Sequence, residues 1–226
     1  MKTQRLAMIL ASTLILAPVC MTSWQACAAD NAAAEAPAKP KKKVAKKPNY
    51  VNKFAPAQKV AEANEEPIVV FMLDESPKSK FLEQKVMKYK PFFKDFATKN
   101  LVIFTLKLKP DGKDPKKIDV KRLKDAERKL VENFGLDPRT EALAKRNDKK
   151  VSPTDTSNFP CVVVISPDGT RELFRMPPFD TKVENAKAGY GVWISNMVDS
   201  LRNKGIEPVI SKELQKILDN PMGEEK

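Results

Sequence analysis

The chain has 226 residues, a net charge of +12 and no histidine. Without imidazole there is no Ser-His-Asp hydrolysis, and with Cys161 the one cysteine outside the first 28 residues, which read as a cleaved signal, there are too few ligands for zinc, copper or iron–sulfur sites, so no metal or other cofactor is expected. Half of the net charge lies in residues 30–60, where eight lysines face only Asp30 and Glu35.

Residues 1–28 read as an export signal. Lys2 and Arg5 form its charged start, and Leu6–Val19 is an apolar run of 14 residues, too short to span a bilayer comfortably. Ala26 and Ala28 place small residues at −3 and −1 for cleavage after Ala28. Lipoprotein processing at Cys20 or Cys27 is the alternative, but Ala17-Pro18-Val19 and Trp24-Gln25-Ala26 fit a lipobox poorly. The mature protein is expected to be periplasmic or secreted, with no transmembrane anchor. Only Cys161 then remains, so the domain must stand on its core without a disulfide.

Residues 29–60, rich in alanine, lysine and proline, read as a disordered linker that cannot build a core. Six lysines fall within nine positions: Lys39, Lys41, Lys42, Lys43, Lys46 and Lys47. At about 1 kcal/mol for each lysine near an anionic membrane, they could hold the protein at the envelope surface. Nucleic acid is not an expected partner, because the protein is exported and no aromatic stacking residues accompany the lysines.

The domain is expected over 61–206. Pro67–Leu73, β-branched and apolar between acidic residues, predicts a buried strand. Leu82, Val86, Tyr89, Phe93 and Phe96 recur at helical spacing, in a helix that Pro91 should kink or divide. Leu101–Leu106 predicts a second strand, and 107–115 a loop. Leu123, Ala126, Leu130 and Phe134 mark a second helix, closed by Gly135 as a C′ glycine. The polar stretch 137–158 reads as an irregular insertion with a short helix near Glu141–Arg146. Cys161–Ser166 is a third strand. Ser166-Pro167-Asp168-Gly169 is its turn, and Glu172–Met176 the returning strand. Ile194, Met197, Val198 and Leu201 give a third helix, and Ser211 caps a helix in the C-terminal extension 207–226. The order β-α-β-α-β-β-α implies an α/β fold: a mixed sheet of about four strands, the first two parallel, with helices on its faces.

Three local matches make this order resemble the thioredoxin fold. Val69 to Lys80 follows that family's strand and Cys-x-x-Cys-Lys pattern without a gap, with Ser76-Pro77-Lys78-Ser79 at the motif, and Leu82-Glu83 matches an exported thioredoxin-like branch. Lys129–Leu136 looks like the end of its second helix. Phe159-Pro160-Cys161 and the following Val-Val-Val-Ile-Ser-Pro-Asp-Gly look like its cis-proline strand and hairpin. The resemblance covers about 60–206 and implies a groove between the first helix start and the cis-proline loop, where the redox members hold extended peptides. The departures are Ser76 and Ser79 for both cysteines, Glu75 for the usual tryptophan, Val70 for the buried acid, Cys161 after the cis-proline, and the enlarged 137–158 loop.

Those departures decide the chemistry. Disulfide exchange needs a thiolate, and thioredoxin-type motifs lower a thiol pKa to roughly 3.5–7. An alcohol starts nearer water's value of about 15.7, and a helix N-terminus offers at most about 2 kcal/mol toward that gap. Ser76 instead suits an N-cap and Pro77 the first helical position. Lys78 and Lys80 are the only nearby candidate bases, on a helix start that should be exposed. Asp111, Asp114 and Asp119 are interleaved with lysines and depart from calcium-loop spacing. Two functions follow. One is a redox-inactive accessory module that binds an envelope protein or peptide segment at Ser76–Ser79 and Phe159–Cys161. The other is a monothiol disulfide oxidoreductase or isomerase using Cys161.

Overall fold

A computed structural model describes residues 50, 51, 53–177 and 186–221. The export signal, Cys20, Cys27 and the lysine cluster lie outside the described residues. The described sheet has five strands, Tyr50–Val51 (β1), Ile68–Leu73 (β2), Val102–Lys107 (β3), Cys161–Ile165 (β4) and Glu172–Arg175 (β5), in the order β1-β3-β2-β4-β5. β3 pairs in parallel with β1 and β2, whereas β4 is antiparallel to β2 and β5.

Alternation along β2 explains the layers. Val69, Phe71 and Leu73 face one core, and Ile68, Val70 and Met72 face the other. β2 is central and covered on both sides, so it reads as an unbroken apolar run. Against the first face lies the crossover between β2 and β3: Pro77–Phe81 (α2), wide π-helical turns at Leu82–Val86 and Pro91–Ala97, and Thr98–Asn100 (α3). The helix is interrupted before Pro91, which restarts it at the first position, where its missing N–H costs nothing. Buried residues of Ala186–Arg202 (α6) and Lys212–Asp219 (α7) complete this core.

The second face is covered by Phe54–Asn64 (α1) and Asp125–Phe134 (α4). β1 and α1 fall within or begin in the stretch read above as linker, so the ordered domain starts before residue 61. Phe54, Ala57 and Ala61 are spaced along one helical face and all are buried; the Phe54 ring packs 5.5 Å from Phe104. Lys53 and Lys59 lie on the exposed side and lend the segment the composition of a linker.

Three further differences have local causes. The 137–158 insertion contains a full helix, Pro138–Arg146 (α5), capped by the Asp137 side chain on the Arg139 N–H at 2.8 Å. The extension beyond residue 206 is part of the domain, with Leu214 of α7 wholly buried. Gly135 has φ −70°, so no left-handed turn closes α4. A side chain there would instead collide with the carbonyls of Val131 and Pro153. The arrangement as a whole is a mixed α/β sheet compatible with a thioredoxin-like fold.

Candidate functional site

β2 ends at Leu73, and the chain turns at Asp74 into α2. Ser76 takes the extended N-cap conformation, its hydroxyl oxygen accepts the Ser79 N–H at 3.3 Å, and Pro77 follows at the first helical position. The residue that organises this turn is Asp74, which the sequence reading treated only as the edge of a strand. Its Oδ1 accepts the Ser76 hydroxyl at 2.6 Å, the Ser79 hydroxyl in a very short bond, and the Ser76 N–H at 3.3 Å. Ser79 Oγ in turn accepts the Asp74 N–H at 3.0 Å. An Asp two residues before a helix N-cap is the available signal, since Asx side chains bond backbone two residues on. Both hydroxyl protons of the Ser-x-x-Ser pair are therefore spent on one carboxylate oxygen, in a turn where Ser79 is buried.

Across a cleft of about 260 Å³ stands the Phe159–Pro160 peptide bond, which is cis. Lys78 and Leu82 form one wall, and Pro160, Cys161 and Arg175 the other. Asp137 and Thr140 with Ser157 and Asn158, from opposite ends of the insertion, close the remaining sides. Phe159 is not a surface residue: it is 5% exposed, within the core beside Phe134. Its N–H is bonded to the Thr156 carbonyl at 3.1 Å in a single 3₁₀ turn, Thr156–Asn158.

Cys161 begins β4 and is 7% exposed. Its sulfur accepts a bond from Arg175 Nη1 at 3.0 Å and lies 3.7 Å from the Phe134 carbonyl, to which the thiol donates. Burial pushes the thiol up to about 11, against the opposing pull of the Arg175 guanidinium. Arg175 is itself clasped by Glu172, with Nη2 2.6 Å and Nε 3.1 Å from the carboxylate oxygens, and Nη2 also donates to the Phe134 carbonyl at 2.8 Å. Neither Glu172 nor Arg175 stood out in the sequence. They lie three apart on a four-residue edge strand, and only the bulge between Val164 and Ile165 and the approach of α4 reveal why they pair.

The aspartates of the 107–124 segment are each engaged locally. Asp111 accepts the Lys113 N–H at 2.9 Å, Asp114 the Lys116 N–H at 3.1 Å, and Asp119 pairs with Arg122 at 2.8 Å. They form turns and do not converge. Val70, in the place of a buried acid, is fully enclosed in the second core and opposite Phe104 and Val163 in the sheet.

No family model and no curated protein matches the sequence. Among solved structures the chain is similar to a DsbH oxidoreductase, with 16% identity and a TM-score of 0.36, over 73% of this chain and 94% of that one. With so low an identity and TM-score, function is argued from this chain's own residues.

Proposed function

We propose that this chain is an exported, redox-inactive module of thioredoxin-like fold that holds a segment of another envelope polypeptide in the cleft beside the cis-proline. The observation that carries this reading is a contrast between neighbours. The Ser76 and Ser79 hydroxyls are consumed by Asp74. Lys78, Thr140 and Ser157, on the walls of the adjoining cleft, are exposed and have no side-chain hydrogen bond or ion pair among the described residues. The polar groups at the motif are turned inward to hold the turn, and those around it are free to meet an occupant.

The mode of binding is constrained. An occupant adding itself as a strand at the cis-proline loop would need main-chain donors there. The Phe159 N–H is already bonded to Thr156, so that donor does not serve a strand-like occupant, and side chains carry more of the recognition. The monothiol alternative gains no support from a thiol that is buried and held protonated.

The test is site-specific photo-crosslinking in the full chain within intact cells. A photoreactive residue at position 78 should capture a defined polypeptide, and one at position 216, exposed on α7, should not. Replacing Thr140 and Ser157 with tryptophan should block the capture by filling the cleft without adding charge. Equal capture from both positions, or capture indifferent to the tryptophans, would move the interface elsewhere.

A further inference from the structure

The wall of the cleft continues into a strongly basic surface. The 107–119 loop is stitched to the end of the insertion by main-chain bonds: Ile118 N–H to the Thr154 carbonyl at 2.8 Å and Thr156 N–H to the Lys116 carbonyl at 2.8 Å. The Thr156 hydroxyl donates to that same carbonyl at 3.2 Å. Lys116 and Lys117 are thereby fixed beside the turn that carries Ser157 and Asn158. From the other side, Lys149 and Lys150 lead directly into Ser152, whose carbonyl receives the Asn158 side chain at 2.8 Å. Lys116, Lys117, Lys149 and Lys150 are all exposed, and none has an ion pair among the described residues.

The charge is concentrated here. Segments 107–119 and 145–155 together carry nine basic residues against five acidic ones, a net +4, which equals the +4 of residues 61–226 as a whole. The rest of that span is therefore neutral on balance, and of these basic residues Lys107 and Lys145 are paired, with Glu83 and Glu141. Inside the cleft, Lys78, Thr140 and Ser157 carry donors with no partner among the described residues, beside the Asp137 carboxylate, whose Oδ1 accepts the Arg139 N–H.

Taking the cleft as the binding site, we infer that its occupant is an acidic polypeptide segment, whose carboxylates are met by Lys78 within the cleft and by Lys116, Lys117, Lys149 and Lys150 along its rim. Complementary charge of this kind sets partner choice and association rate, and salt weakens it because the lysines are exposed. A polypeptide is favoured over a flat anionic surface because the lysine-bearing segments are bonded to the turn whose Ser157 and Asn158 line a concave site.

The experiment uses the full mature chain and two fluorescent peptides of 12 residues, one alternating Glu with Val and one alternating Gln with Val, followed by anisotropy at two salt concentrations. The acidic peptide should bind about tenfold more tightly, an advantage lost at high salt. K116E/K117E should erase that advantage, while K99E/K216E, an equal charge change on exposed helical positions elsewhere, should preserve it. Equal affinity for the two peptides would overturn the acidic preference while leaving peptide binding intact. Binding of neither peptide would overturn capture by charge, and crosslinking from position 78 reports separately on the cleft. Equal loss in both reversal pairs would assign the effect to overall charge and overturn the inference. Tighter retention on vesicles of anionic lipid, lost with K116E/K117E, would give this surface to a membrane and overturn it as well.

Discussion

Asp74 and Ser79 hold each other twice: the Ser79 hydroxyl donates to Asp74 Oδ1 and accepts the Asp74 N–H at 3.0 Å. Here the oxygen closes a reciprocal bond between strand end and first helical turn, and Ser76 joins it on the same carboxylate. Replacing Ser79 with Ala would leave the half-buried Asp74 N–H without this partner and strip the carboxylate of one donor. Ser76 and Ser79 each give up a bond to the same carboxylate, worth about 1.5–3 kcal/mol, but Ser79 is buried and Ser76 only half-buried, so water replaces less of what Ser79 loses. Urea denaturation should therefore rank Ser79→Ala as the more damaging change. Combining it with Asp74→Asn should give less than the sum of the two single effects, because both act on one network. Additive losses, or a harmless Ser79→Ala, would separate the two residues.

Cys161 supplies a second prediction, in pH. Its thiol is raised from an ordinary value of 9.0 to about 11 by burial. The unfolded chain thus loses this proton at lower pH than the folded one, and deprotonation favours unfolding. The stability contributed by the neutral thiol is complete below about pH 9 and is lost as pH rises through about 11. Unfolding midpoints of the native chain should fall across that window more steeply than those of Cys161→Ala. In the same protein, iodoacetamide at pH 7.5 should leave Cys161 unmodified until denaturant is added. Rapid native labelling would return the monothiol reading to consideration.

Gly135 tests whether the end of α4 is shaped by conformation or by contact. With φ −70° the backbone suits any residue, but an added Cβ meets the Val131 and Pro153 carbonyls, which are main chain and cannot rotate away. Gly135→Ala should cost about 1–3 kcal/mol, the usual range for overpacking. Gly112→Ala, where a Cβ meets nothing within 4 Å, should leave the thermal midpoint in place. A stabilised Gly135→Ala protein would show that the insertion can retreat from α4.

How much of this was legible in the sequence depends on whether a residue acts through periodicity or through a distant neighbour. The central strands announced themselves because β2 and β4 are buried on both faces and read as unbroken apolar runs. The Ser76 cap and the Pro77 start were legible because capping is local. The Asp74 clasp was not, since its partner Ser79 lies a helical turn beyond the strand end. The Glu172–Arg175–Cys161 assembly was hidden for a different reason: it depends on the bulged pairing of β4 with β5 and on the Phe134 carbonyl of a separate helix. β1 and α1 were obscured by composition. An alanine-rich helix with Lys59 on its outer side and Lys53 just before it looks like a linker until the sheet face that buries Ala57 and Ala61 is present.

The same dependence on distant contact makes the C-terminal extension testable. Asn100, at the end of the β2–β3 crossover, donates from Nδ2 to the Val209 carbonyl at 3.0 Å and accepts the Val209 N–H at 2.5 Å. A side-chain amide here copies one rung of a β-ladder and holds the segment leading to α7 against the domain. Leu214 then seats α7 in the first core, and a Cβ at Gly191 of α6 would strike the Pro221 carbonyl. Asn100→Ala leaves both Val209 main-chain groups without this partner, at about 1–3 kcal/mol for each group that stays buried and unsatisfied. Truncation after residue 206 removes these groups but exposes the apolar surface that Leu214 covered. Hydrogen exchange distinguishes the two effects. Asn100→Ala should raise exchange chiefly in 206–221, whereas the truncated chain should also lose protection in α6 and in the Pro91–Ala97 turns. If α6 kept its full protection after truncation, the extension would be an appendage, and Asn100 would serve only to anchor it.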